Sequence, residues 1–257
     1  MTEHDDGAGR LDGAVPRVGS GAVMIEYFNE DCMIGMARYP DKWFDLAIVD
    51  PPYGIGIKGG FGRRKTDLIC TKYDKDVDWD IPPKEDYFLE LFRVSANQVI
   101  WGGNYFTEYL SPTGAWIIWD KKYGTDQLTF SMAEMAWSSF DTPLKIFYKT
   151  NNESFSKKIH PTEKPVALYK WLLTNYAKPG DLILDTHVGS ASSLIACHDL
   201  GFSAVGFEID EEYYKASKQR LKDHMAQMRI EDMSNHISGE DDKPEQITLF
   251  DISELER

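Results

Sequence analysis

Asp50-Pro51-Pro52-Tyr53 is the stretch whose residue types point most directly to chemistry. It follows the apolar run Leu46–Asp50, which reads as a strand. In an open α/β sheet, ligands bind beyond the carboxyl ends of the strands. Two consecutive prolines fix φ and remove two N–H donors, so the chain stays extended and its carbonyls stay available. Such a turn suits an exocyclic amine on a flat base. The Asp50 carboxylate and the Pro51 carbonyl would accept both amine hydrogens, draw the nitrogen toward tetrahedral geometry and aim its lone pair at an electrophile. Tyr53 would stack on the base, a contact worth ~1–3 kcal/mol. The base would have to leave its duplex to get there. The plain alternative is a strand-to-loop turn with a packed tyrosine.

A second constellation begins at Asp181 and runs Leu-Ile-Leu-Asp185-Thr186-His187-Val-Gly189-Ser190-Ala-Ser-Ser193. It reads as a strand, a glycine-containing turn and a helix N-terminus, where a ligand can approach the backbone closely. Phe207-Glu208 closes the next apolar run. An acid at that place accepts hydrogen bonds from ribose hydroxyls, which fits a nucleoside cofactor. The turn lacks a full G-x-G-x-x-G, so a dinucleotide is disfavoured. An ordinary strand-helix turn with a solvated acid is the competing reading.

The elements that must position these residues are legible as alternating short apolar runs and helical stretches. Strands are expected at Ala22–Phe28, Leu46–Asp50, Gln98–Trp101, Ala115–Trp119, Leu144–Tyr148, Leu182–Asp185 and Ala204–Glu208. Nearly continuous apolar character suits strands covered on both faces. Helices are expected at Lys84–Val94, Pro165–Tyr176, Ser190–Leu200 and Glu211–Gln227. The alternation predicts an α/β doubly wound sheet. Residues 54–80, Gly-rich and basic at the start, and the mixed polar stretch 120–142 resist the pattern, and long loops of that kind usually serve as lids or binding loops.

With 257 residues, 42% of them hydrophobic, the chain can bury a sizeable core. No apolar run approaches the ~20 residues of a membrane span. The polar N-terminus has no signal-peptide character. Three cysteines without C-x-x-C spacing exclude a disulfide framework and fit a reducing cytoplasm. The net charge is −14. Residues 231–257 hold nine acids against two bases, and residues 1–20 four against two. A local basic surface on the mildly acidic remainder can therefore still meet phosphates, since exposed charges are screened beyond ~10 Å. Residues 1–20 and 231–257 are expected to be flexible, flanking one domain at 21–230.

Together these motifs resemble the β-class S-adenosylmethionine-dependent DNA amino-methyltransferases. In that family D-P-P-Y precedes the cofactor turn, a circularly permuted order that this chain shares. Ile159-His160-Pro161-Thr162-Glu163-Lys164-Pro165 resembles the family's H-P-T-x-K-P segment, which lines the methionine end of the cofactor. Asn29-Glu30-Asp31-Cys32 resembles the block that places an acid near the adenine. The resemblance covers about residues 22–222. It implies a Rossmann-like, mostly parallel seven-stranded sheet with one antiparallel strand, S-adenosylmethionine as cofactor and no metal. Asp50, Pro51, Pro52 and Tyr53 would be catalytic. Asp31, Cys32, Asp50, His160, Thr162, Lys164, Pro165, Asp185, Thr186, His187, Gly189, Ser190, Phe207 and Glu208 would hold the cofactor. The turn departs from the family's D-P-F-x-G-S-G-T at His187 and Ala191. D-P-P-Y favours adenine N6 in double-stranded DNA, with cytosine N4, an RNA substrate or a non-catalytic partner of an active methyltransferase as alternatives. Family members are often dimers, but the sequence shows no dimer face.

Lys58, Arg63, Arg64 and Lys65 in the loop 54–80 would clamp phosphates, or form a solvated loop. Residues 120–158 are expected to read the target, and their shortness implies a short recognition sequence. His160 and His187 lack metal-ligand spacing and read as cofactor-site lining or packing. Trp101, Trp116, Trp119 and Trp137 read as core, and Gly102-Gly103-Asn104 as a turn or the rim of the catalytic mouth. In the tail, Gln246-Ile-Thr-Leu249-Phe250 resembles the peptide by which DNA enzymes dock on the bacterial sliding clamp. A chance match or a strand folding back on the body is the alternative.

Overall fold

The computed structural model describes residues 23–55, 80–121, 131–149 and 163–238, with side chains to residue 228. Eight strands form one sheet in the order β1-β8-β7-β2-β3-β5-β4-β6. They are β1 (Ile25–Phe28), β2 (Phe44–Val49), β3 (Ser95–Trp101), β4 (Ile117–Asp120), β5 (Ala133–Ser138), β6 (Lys145–Tyr148), β7 (Leu182–Asp185) and β8 (Ser203–Phe207). The helices are α1 (Cys32–Met36), α2 (Glu85–Val94), α3 (Val166–Tyr176), α4 (Ser192–Asp199) and α5 (Glu211–Ser238), with a 3₁₀ turn at Gly103–Tyr105.

The central strands are buried on both faces, as their unbroken apolar sequence requires. Leu46, Ile48, Val99, Trp101 and Ile183 pack with Leu168, Leu172, Leu194 and Leu221 of α3, α4 and α5. Ala47, Val49, Ile100 and Leu184 on the opposite face pack with Met36, Tyr87, Phe88 and Leu91 of α1 and α2. The period-2 alternation of one strand thus feeds two cores, and the sheet is doubly wound. Trp101, Trp119 and Trp137 are buried in these cores, and Trp116 packs against the second.

All strand pairs are parallel except those of β5, which runs antiparallel to both β3 and β4. Among the described residues the count is eight rather than the expected seven, because β5 lies inside the stretch read as a mixed polar loop. It is the antiparallel strand that the resemblance implied. Helix α1, five residues long, was also not anticipated. Helix α5 continues to Ser238, past residue 230, where the domain was expected to end.

The chain leaves β2 through α2 toward β3 on one side, and leaves β7 through α4 toward β8 on the other. The connections diverge between β2 and β7, which are direct neighbours. A crevice opens at such a switch point, beyond the carboxyl ends of the two strands.

Candidate active site

The register Leu46↔Ile183 and Ala47↔Leu184 carries β2 and β7 forward side by side, so Asp50 and Asp185 emerge at the same edge of the sheet. The tips of two strands remote in sequence meet there. Asp185 is buried and accepts from Ser193 Oγ at 2.5 Å and from the His187 backbone N–H at 3.0 Å. Burial pushes its carboxyl up to about 7 against these bonds, and the nearby Asp50 and Glu208 charges add to the rise. No lysine or arginine pairs with it among the described residues.

Asp50 is held from two sides. The Tyr53 hydroxyl donates to its Oδ1 at 2.7 Å. The Lys164 ammonium donates to its Oδ2 and lies 3.3 Å from the Tyr53 hydroxyl. Lys164 is almost wholly buried and makes a second ion pair, 3.1 Å, with Glu134 on β5. Burial alone would strip its charge, but Asp50 and Glu134 outweigh that and hold the ammonium above its ordinary value. Glu134 also pairs with Lys121 at 2.6 Å. Burial opposes its charge too, yet Lys164 and Lys121 bring its carboxyl down to about 2.

The aromatic surroundings fix this group. The Lys164 Nζ lies 5.3 Å from the centroid of the Trp101 ring. Tyr53 stacks on Tyr105, with centroids 5.1 Å apart and planes at 20°. Gly102, at φ 68°, lets the Tyr53 ring pass so close that a Cβ there would stand 2.1 Å from it. The Gly102-Gly103-Asn104 turn therefore packs directly against the D-P-P-Y turn. Tyr53 faces Tyr105 and Asp50 in this state, so stacking on a base requires the ring to change neighbours.

On the other lip, a cavity of about 270 Å³ is lined by Asp31, Cys32, Pro52, Tyr87 and His187 together with Pro82 and neighbours. Asp31 caps α1, accepting from the Met33 N–H at 2.7 Å. Burial, reinforced by Asp31, raises the Cys32 thiol to about 12, so it stays neutral. Thr186 accepts or donates to the Tyr87 hydroxyl at 2.7 Å and to His187 Nδ1 at 2.9 Å. Burial lowers His187 to about 4, so the ring is a neutral wall. Glu208 Oε2 accepts from the Gly189 N–H and its Oε1 from the Asp210 N–H, both at 2.9 Å. The carboxylate keeps acceptor capacity for a further donor. Ser190 is held by Arg220, which donates to its carbonyl at 2.8 Å. Ala191 takes φ 63°, a left-handed conformation, at the position where the resembling family has glycine.

Three of the residues expected at the cofactor make other contacts here. The Phe207 side chain is core, stacked 5.9 Å from Phe28, and only its carbonyl reaches the turn, accepting from Val188. Pro165 precedes α3 as its cap and does not line the cavity. Lys164 sits on Asp50 rather than at the cofactor turn. His160, Thr162, the basic group Lys58, Arg63, Arg64 and Lys65, and the tail residues Gln246, Leu249 and Phe250 lie outside the described residues. Glu134, Tyr105 and Tyr87 were not singled out from the sequence. The nearest signal for Glu134 was an acid in a run otherwise fit for a strand, Ala-Glu-Met-Ala-Trp-Ser.

A switch-point crevice of an α/β sheet, with D-P-P-Y on one lip and an acid-led glycine turn on the other, is a geometry suited to holding a nucleoside against a planar amine. Residues 100–219 match the DNA methylase family of N6 and N4 methyltransferases. The chain is 25% identical to YubD of Escherichia coli K12 over 212 residues, 77% of this chain and 90% of that protein. It is 34% identical to the DNA adenine methyltransferase YhdJ of Escherichia coli over 82 residues, 32% of this chain and 24% of that protein. The fold is similar to that of the M1.HpyAVI–SAM complex, with a TM-score of 0.53 and 19% identity over 77% of this chain and 99% of that one. These similarities place the match to the DNA methylase family in residues 100–219, which include β7, the turn at Asp185 and β8. Among the described residues, no helix is long and apolar enough to cross a membrane.

Proposed function

We propose that the protein is a sequence-specific DNA methyltransferase that moves a methyl group from S-adenosylmethionine to N6 of an adenine flipped out of the duplex. The observation that carries this reading is the placement of Asp50-Pro51-Pro52-Tyr53 beside Asp185 at one switch-point edge. The similarity to an adenine methyltransferase supports the choice of base.

The residues present fit the cofactor. Asp185 is a buried acid without a cationic side-chain partner among the described residues, a complement for the α-amino group, and Glu208 retains acceptor capacity for ribose hydroxyls. The cofactor supplies an electrophilic sulfonium methyl, and the remaining work falls to the protein. Pro52 and the cavity walls would fix the donor against the Asp50 edge, and proximity of this kind removes ~7–11 kcal/mol of barrier. On base entry, Asp50 Oδ1 exchanges the Tyr53 hydroxyl for an amine N–H, which frees the ring to stack. The Pro51 carbonyl takes the second N–H. Lys164 holds the Asp50 carboxylate in place as an acceptor, and Asp50 then receives the proton released after transfer.

The test is transfer of a radiolabelled methyl group to DNA, followed by nucleoside analysis. N6-methyladenine is expected in the wild type. Asp50→Asn should lower turnover by at least ~10²–10³-fold while cofactor binding persists. Recovery of N4-methylcytosine would overturn the choice of base, and full activity in the variant would overturn the role of Asp50.

A further inference from the structure

Away from the catalytic edge, three side chains from two helices converge without a role in the chemistry above. His198 and Asp199 end α4, and His224 lies on α5. Their ligating atoms all lie within 4.8 Å of one another. Asp199 Oδ1 is 2.6 Å from His224 Nε2 and 3.3 Å from His198 Nδ1. The imidazole rings stand nearly perpendicular, with centroids 6.2 Å apart.

We propose that His198, Asp199 and His224 form a binding site for a divalent transition-metal ion of the zinc type, which pins α4 to α5. Two imidazole nitrogens and one carboxylate oxygen are a donor set that zinc accepts, with bonds of ~2.0–2.2 Å and separations between ligands of about 3.3 Å. One contact already has that spacing, and the shorter one needs only a small outward shift of His224. That ring is partly exposed, so it can move, and solvent can fill the remaining positions. The carboxylate is already oriented. Its Oδ2 pairs with Lys170 of α3 at 2.6 Å, which leaves Oδ1 turned toward both rings. An outer partner that fixes a ligating carboxylate is characteristic of metal sites.

The site lies at the carboxyl end of α4, whose amino end abuts the glycine turn, about 12 Å away along an eight-residue helix. It is therefore distinct from the catalytic edge. Arg220, one turn before His224 on α5, reaches back to the carbonyl of Ser190 and pairs with Glu163 at 3.0 Å. A metal that fixes α5 at His224 would thereby also steady the arm that supports the turn.

The experiment is calorimetric titration of the untagged, chelator-treated full chain with Zn²⁺, with Co²⁺ absorption as a second probe of nitrogen ligation. One equivalent per chain is expected, with a rise in melting temperature on zinc addition. His198→Ala and His224→Gln should each weaken zinc binding by more than the ~10–100-fold that loss of a merely supporting residue costs. His224→Gln keeps a polar group toward Asp199, so its melting temperature in chelator should match the wild type while the zinc-induced rise disappears. Absence of zinc uptake by the wild type overturns the proposal. So does uptake that persists unchanged in both variants, which would place the metal on other histidines.

Discussion

Lys164 donates to Asp50 across 114 residues of chain, in a buried ion pair that joins the segment before α3 to the D-P-P-Y turn. The pair places a buried cation against the acid that the proposed mechanism uses as an acceptor. Lys164→Met should therefore lower methyl transfer by ~10²-fold or more, on the scale of removing a preorganised charged group. Cofactor affinity should change little. The check is a comparison of single-turnover rate with cofactor Kd. An equal loss in both would return Lys164 to the cofactor site.

Glu134 anchors that lysine from the antiparallel strand. Its carboxyl sits at about 2 when folded against an ordinary 4.5. A lowered value means that the ionised form favours the fold, so the contribution is complete above pH 4.5 and fades as pH falls toward 2. Glu134→Gln should lower stability at pH 7 by up to about 3 kcal/mol, as for a broken, largely buried pair. It should also flatten the acid limb between pH 4.5 and 2. Urea midpoints measured across that range decide the matter.

Asp185 carries the opposite sign. Its carboxyl is raised from 3.8 to about 7, so the protonated form favours the fold. That contribution is complete below pH 3.8 and is lost as pH rises through 7. A cationic amine beside it would drive ionisation, and cofactor binding near pH 6.5 should release a proton. Calorimetry in two buffers of different ionisation enthalpy measures this release, and Asp185→Asn should abolish it.

Gly102 is the tightest point of the mouth. An alanine there meets the Tyr53 ring at 2.1 Å and must also adopt φ 68°. Gly102→Ala should cost about 1–3 kcal/mol from strain and crowding. It should also reduce turnover more than it reduces cofactor affinity, because Tyr53 is displaced. Thermal melts paired with steady-state kinetics separate the two effects.

The strands were legible wherever burial on both faces forced an unbroken apolar run, as in β2 and β7. Strand β5 escaped notice because Glu134 interrupts its pattern, and that acid is tolerable only through Lys121 and Lys164, whose proximity no local pattern reveals. D-P-P-Y and the turn at Asp185 were legible because their chemistry is local. Lys164 was singled out from its motif, but its pairing with Asp50 was not legible, since Asp50 lies just after a strand far back in the sequence. Helix α1, at five residues, is too short to show a period. Phe207 and Glu208 are adjacent in sequence, but alternation along the strand turns one inward and leaves the other at the turn.

Among the described residues β1 lies at the margin of the sheet, with β8 as its one neighbour. A ribosome delivers Ile25 long before Ala204, its partner in register, exists. Until then the early ribbon is an unclaimed edge, and the donor pocket lacks its Glu208 wall. Release of a product that stops before β8 would leave that ribbon open to pairing with other nascent chains, so completion of the turn and protection from aggregation arrive together, once β8 has been made.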